Sequence, residues 1–277
     1  MKNLPLLLFL SLLFSFACSH DHDHSHDGHD DDHATEHDHD DADHGKEYYE
    51  YRVYQISNEV QQEKVKSFMA DALIPAYHTQ GIETVGAFET INPDKQGYDI
   101  HVLVPLDEFD DFEDLYENIY SDQDFLTAGA AYLNEQDPDQ KAYDRIKSSL
   151  LVAFDSMPQL KNPTGTSDHV FELRSYESFS ELKGRKKVAM FDEGGEVTIF
   201  TDLGFKPVFF AEALTGDEVP NLVYMVTYPQ SSDRKSYWDK FGSDPRWVAI
   251  KDLPEYAETV STIHSHMLRA IEGSDIR

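Results

Sequence analysis

Two stretches of alternating residues punctuate the chain: Tyr49–Ile56 (YEYRVYQI) and Val170–Glu177 (VFELRSYE). Both are rich in aromatic and β-branched side chains, so both are expected to be strands. Helical spacing follows each one. A helix is expected over Glu59–Tyr77, ending near Pro75, and another from Glu181 to Asp192 or beyond. Strands are expected near 83–91 and 98–104, and again near 206–214 and 221–228. Phe109, Phe112, Leu115, Tyr116 and Ile119 then recur at helical spacing, as do Tyr237, Trp238 and Phe241. A last strand closes each half.

The two halves carry the same marks in the same order. Tyr49-Glu50-Tyr51-Arg52-Val53-Tyr54 answers Phe171-Glu172-Leu173-Arg174-Ser175-Tyr176, and Gly81 answers Gly204. Gly86–Glu89 answers Phe209–Glu212, and apolar runs ending at Pro105 and Pro229 correspond. Ser121-Asp122 with Phe125 matches Ser243-Asp244 with Trp247, and Asp144–Ala153 aligns without gaps to Ser261–Ala270. This is a duplication. Strand, helix, strand, strand, helix, strand is the order of a ferredoxin-like unit. The expected fold is therefore α+β: two tandem ferredoxin-like βαββαβ units pairing their sheets into a dimeric-α+β-barrel-type architecture.

These residues resemble the NIPSNAP family. The paired E-[YL]-R-x-Y strands, the SDPRW segment at Ser243–Trp247 and the closing STIHSHMLRA carry the resemblance. It spans about residues 47–272 and implies two repeats, 47–160 and 161–277. It implies a fold more than an activity, because the wider superfamily includes haem-binding proteins, small monooxygenases and plain binding modules. A tandem pair can complete a barrel within one chain, and homodimers are also common for this architecture.

The N-terminus follows a different pattern. Leu6–Phe16 is almost wholly apolar after Met1-Lys2-Asn3. It is shorter than the ~20 residues needed to span a bilayer, and suits the core of a secretory signal. Ala17 precedes Cys18, the chain's one cysteine. This resembles a bacterial lipoprotein signal, with residues 1–17 removed and Cys18 lipidated. An extracytoplasmic, membrane-anchored protein is expected, facing the periplasm or the cell surface. Residues 18–46 are then a disordered tether. Ser19–His44 holds His20, His22, His24, His26, His29, His33, His37, His39 and His44 among eleven acidic residues. It has no large apolar side chain to offset ordering. Neutral imidazoles and carboxylates suit Zn²⁺, Cu²⁺ or Ni²⁺, with binding weakening below about pH 6. The alternative is a solvated spacer.

The net charge of −30 argues against nucleic acid and anionic membrane surfaces as partners. There is no GxSxG, HExxH or Walker loop. Arg52 with Tyr54, and Arg174 with Tyr176, share a strand face and form candidate ligand-pocket pairs, with Trp247 as a further lining residue. The competing reading is structural: each Arg satisfies Glu50 or Glu172 on its own strand face. His264 and His266 share a face if their segment is a strand, making a metal pair that needs a carboxylate from elsewhere. His101, in an apolar strand, reads as a core or edge histidine. The leading expectation is a binding protein of unknown small ligand or protein partner. An enzyme of monooxygenase or isomerase type working in the barrel cavity, with Arg174, Tyr176 and His264 lining it, is the alternative. A zinc, copper or nickel sequestration or delivery lipoprotein is the third reading. Replacing Cys18 by serine (Cys18→Ser) is expected to move the protein from the membrane fraction to the soluble fraction of an expressing bacterium; unchanged membrane association would refute the anchor.

Overall fold

The computed structural model describes residues 45–162 and 169–277. Cys18 and the nine tract histidines lie outside them. Strand β1 (Tyr48–Gln55) leads into α1 (Glu59–Phe68), a π-helical turn (Met69–Leu73) and α2 (Ile74–Thr79). Strand β2 (Gly86–Thr90), the short α3 (Pro93–Gln96) and β3 (Ile100–Leu106) follow. Then come α4 (Asp111–Ser121), α5 (Gln123–Ala128), α6 (Ala130–Leu133) and β4 (Arg145–Ala153). The second half runs β5 (Val170–Glu177), α7 (Glu181–Phe191), α8 (Glu196–Asp202), β6 (Lys206–Thr215) and β7 (Asn221–Tyr228). It ends with α9 (Arg234–Ser243), α10 (Pro245–Lys251) and β8 (Thr262–Ala270).

Local chemistry sets these boundaries. Asn58 caps α1 by accepting from Gln61 N, and Gln61 Oε1 accepts in turn from Ser57 N, a variant of the capping box. Pro75 does not end the first helix, contrary to the sequence expectation. The π turn immediately before it accommodates the missing N–H, and the helix runs on to Thr79. Gly81 and Gly204 both adopt φ near +85° (85° and 87°) where those helices stop, a conformation glycine enters without Cβ strain. The repeated Ser-Asp marks are helix caps. Asp122 accepts from Asp124 N and Asp244 from Arg246 N, starting α5 and α10. Phe109 falls outside its expected helix and lies half exposed, edge-on to Tyr48.

The eight strands of the described residues are all antiparallel and close into one barrel, in the order β1-β3-β2-β8-β5-β7-β6-β4. Each half contributes a four-stranded sheet, β4-β1-β3-β2 or β8-β5-β7-β6. The α+β class and the tandem ferredoxin-like units hold. The edge strand β2 pairs with β8, and β6 pairs with β4, so no edge stays open. Pairing register corrects one correspondence between the halves. Tyr49 faces Pro105 while Phe171 faces Thr227, so Pro105 matches Thr227 rather than Pro229.

Both faces of the sheet are covered. Inside, Tyr49, Phe88, Leu103, Leu151, Phe171, Phe209, Met225 and Leu268 pack together, joined by the fully buried Ile276 from the C-terminal segment. Outside, the helices of each half cover a separate cluster, one around Phe68, Tyr77 and Ile119, the other around Phe191, Phe200, Phe210 and Tyr224.

A buried carboxylate pins each helix layer to its sheet. Glu172 has no exposed surface. It accepts from Arg174 Nη1 (2.7 Å), Arg234 Nη2 (2.7 Å) and Arg234 Nε (2.9 Å). Tyr228 OH (2.8 Å), Trp238 Nε1 (3.0 Å) and Ser265 Oγ (3.0 Å) donate as well. Burial pushes this carboxyl up, but hydrogen bonds from Arg234, Trp238 and Arg174, with the Arg174 charge, outweigh it and hold the pKa at about 2. In the first half, Glu50 takes the equivalent place, accepting from Tyr116 OH and from Ser148 Oγ at 2.6 Å, with Arg52 Nε 3.6 Å away.

A carboxylate whose folded pKa is depressed stabilises the fold above its unfolded value and loses that contribution as pH falls through the folded one. Glu172→Ala is expected to cost ~3 kcal/mol at pH 7, because it strands the buried Arg174 guanidinium and the buried Tyr228 hydroxyl, while Arg234 is exposed enough to turn to water. Urea unfolding would measure this, and the gap to the unaltered protein should shrink between about pH 4.5 and about pH 2.

Candidate functional site: a polar cavity at one barrel mouth

Strand alternation sends odd-numbered residues of β1, β3, β5 and β7 into the barrel. The interior is apolar through most of its length. It turns polar at the end where β1 and β5 finish and β3, β4, β7 and β8 begin. There a cavity of about 250 Å³ is lined by Tyr51, His101, Ser149, Ser175, His264 and His266, among others.

Two features shape this mouth. Strand β2 stops at Thr90, leaving β8 without a backbone partner on its β2 side beyond Met267, while its β5 side stays paired. The Gln96 side chain fills in, its Nε2 donating to Ser265 O (3.2 Å) and its Oε1 accepting from Met267 N (3.3 Å). On the other side, the loop after β6 reaches over the opening. Gly216 (φ 149°) lies so close to Ser149 that a Cβ there would stand 2.2 Å from Ser149 Oγ. Asp217 in the same loop pairs with Lys147 at 3.2 Å.

His101 lies at the centre of the cavity wall. It is 2% exposed, its Nδ1 is 2.7 Å from Tyr51 OH, and the two rings stack at 6.1 Å. Its Nε2 is buried without a hydrogen-bond partner, and so is Nδ1 of His266, whose ring centroid is 5.0 Å away. Burial, then the neighbouring His266, lowers the pKa of His101 to about 3. Burial and His264 lower that of His266 as well. Both rings are therefore neutral at physiological pH, each with a nitrogen buried and unpaired in the described structure.

At the rim, His264 Nε2 is 2.6 Å from Glu177 Oε1. The ligand atoms of Glu177, Glu218 and His264 all lie within 4.8 Å of one another. Glu177 comes from the end of β5, Glu218 from the β6–β7 loop and His264 from the start of β8.

His264 and His266 do share a strand face, since their segment is β8. The Arg and Tyr pairs are placed elsewhere. Arg52, Tyr54, Arg174 and Tyr176 occupy even positions and point toward the helices, away from the barrel cavity. Arg174 Nε donates to Tyr176 OH (3.1 Å), which bonds Tyr224 OH (3.0 Å). Arg174 also lies over the Trp238 ring at 4.7 Å. Arg174 thus serves the carboxylate on its own strand, whereas Arg52 donates to Tyr116 OH and stands 3.6 Å from Glu50. Arg52 and Tyr54 do line a separate groove of about 520 Å³ between sheet and helices, with Tyr132 and Tyr143. Trp247 on α10 packs on Phe241 (4.7 Å). So the structure brings His264 and His266 together with each other, but not with Arg174 or Tyr176.

Sequence reasoning missed Tyr51, His101, Glu177 and Glu218 as site residues. One signal was available for His101: it interrupts an apolar strand whose neighbours on both faces are buried, so it had no solvent to face. Nothing in the sequence marks Glu218, which reaches the rim through a loop.

Residues 171–275 match the NIPSNAP family model. No curated protein matches the chain. Among solved structures, an anthrone oxidase-like protein superposes with a TM-score of 0.51 at 9% identity, covering 83% of this chain and 95% of that one. A monooxygenase-like protein of Lactobacillus acidophilus gives 0.50 at 10% identity, covering 83% and 98%. A NIPSNAP family protein of unknown function from Agrobacterium tumefaciens aligns at 17% identity, with a TM-score of 0.35, over 40% of this chain and 96% of that one. At such identities the first two likenesses are of fold.

Unfolded, a histidine takes up its proton near pH 6.5; folded His101 does so only at about 3. Between those values the unfolded chain binds more protons, so stability falls as pH falls. His101→Phe is expected to lose about 2 kcal/mol less than the unaltered protein between pH 7 and pH 5. Urea unfolding at the two pH values checks this; equal losses would mean His101 does not carry the pH dependence.

Proposed function

We propose, for a chain whose residues 171–275 match the NIPSNAP model, that the barrel is a binding module for one small polar molecule. The observation that carries this reading is the mouth cavity with two neutral histidines, each holding a buried, unpartnered nitrogen. Buried polar atoms without partners are costly, and a ligand that supplies those hydrogen bonds is favoured by the same amount. A volume of about 250 Å³ falls below the ~300–1,000 Å³ typical of drug-sized pockets, which favours a metabolite-sized molecule over a large cofactor.

In this reading the module works outside the cytoplasm. Cys18 is the lipid attachment point, and the tract histidines hold Zn²⁺, Cu²⁺ or Ni²⁺ beside the membrane. Support for this comes from the apolar run before Cys18 and the His-Asp alternation after it.

A second reading is turnover within the cavity. Tyr51 OH and His101 Nδ1, 2.7 Å apart, form a neutral phenol–imidazole pair that would orient a substrate by hydrogen bonds.

A thermal-shift screen of small carboxylates, phosphates and polar aromatics against the full chain tests the binding reading. Compounds that raise the Tm should lose their effect in Ala213→Leu, a larger side chain at a position of β6 that lines the cavity. Compounds that stabilise the variant equally would place the site elsewhere.

A further inference from the structure

We propose that Glu177, Glu218 and His264 form a site for a divalent first-row transition metal at the rim of the barrel cavity. This deepens the reading of that mouth as a binding site. The three residues come from β5, the β6–β7 loop and β8, far apart in sequence, yet their ligand atoms gather within 4.8 Å of one another.

The donor set selects the metal class. One imidazole with two carboxylates suits zinc and its neighbours; the imidazole argues against calcium and magnesium, which take oxygen ligands. His264 is already oriented, with its Nε2 held 2.6 Å from Glu177 Oε1. A proton shared between those atoms would be displaced by the cation.

A second observation points the same way. On the same strand face, His266 presents an Nδ1 that is buried and unpartnered, and His101 behind it, 2% exposed, leaves its Nε2 likewise. Both nitrogens are lone-pair or N–H groups that a polar occupant of the same cavity could satisfy. Three protein donors also leave coordination positions free. Those positions adjoin the cavity, so a bound metal would offer one to a small molecule held there.

The site is separable from the tract. Tract histidines are sequence neighbours and remain so when the barrel unfolds, so metal held by them binds folded and unfolded chains alike and leaves the Tm unchanged. The rim residues converge only in the folded barrel. Metal bound there stabilises the native state by mass action.

The experiment is thermal unfolding of the full chain with zinc alone. At zinc a hundredfold above the dissociation constant, the Tm should rise by about 5–10 °C. Magnesium at the same concentration should not move it. His264→Ala and Glu218→Gln should each abolish the zinc shift; Glu218 is exposed, so its substitution leaves folding intact. No zinc shift in the unaltered chain overturns the proposal. So does a shift that survives both variants, or an equal shift with magnesium. The outcome also stands apart from the ligand screen. A lost zinc site with organic ligands still bound leaves the cavity reading in place, whereas a zinc shift with no organic ligand found leaves the metal site alone.

Discussion

Everything in this structure depends on two strand pairings. A single four-stranded half exposes the backbone of β2 on one side and β4 on the other. Unpaired strand edges invite association with any other strand. Here β2 takes β8, and β6 takes β4, so each half caps the other's edges. Closure creates the enclosed interior, and the interior creates the cavity. It also explains why the strands are buried on both faces: barrel side chains fill one side, helices cover the other.

The helix layers need their own attachment, and charge supplies it. Glu172 gathers six donor atoms from β5, β7, β8 and α9 onto one carboxylate. Glu50 has fewer partners, and the first-half sheet keeps a groove beside Arg52 and Tyr54. Two descendants of one ancestral unit have settled the same buried carboxylate differently. One saturates it with two arginines and a tryptophan beside a tyrosine and a serine. The other relies on a tyrosine, a serine and one more distant arginine.

Much of the fold was legible because repetition and alternation are local signals. β1, β5 and β7 fall close to where alternation and apolar runs place them, and the Ser-Asp marks, first seen only as repeated, are helix caps. Helix endings were less legible. Pro75 signals a stop by its chemistry, and only the π turn, which no residue type announces, lets the helix continue. The site was legible in part. His264 and His266 could be paired by strand parity alone. Arg52 and Arg174 drew attention because they repeat, yet residues that repeat in both halves are those serving the shared scaffold. The cavity wall is built from positions that differ between the halves, and a search for repeated marks passes over them.

That difference has a geometric meaning. The two halves meet about a pseudo-twofold axis, and equivalent positions face each other across the mouth. Pairing registers match Gln55 with Glu177, Asp99 with Asn221, His101 with Val223, Lys147 with His264 and Ser149 with His266. A mouth made from two identical halves would show every group twice, and a guest lacking twofold symmetry could enter in two flipped orientations of equal energy. Joining both halves in one chain breaks that degeneracy. One wall carries Glu177, His264 and His266, the other Asp99, His101, Lys147 and Ser149. The mouth therefore has poles, and a molecule with a head and a tail has one way to sit in it.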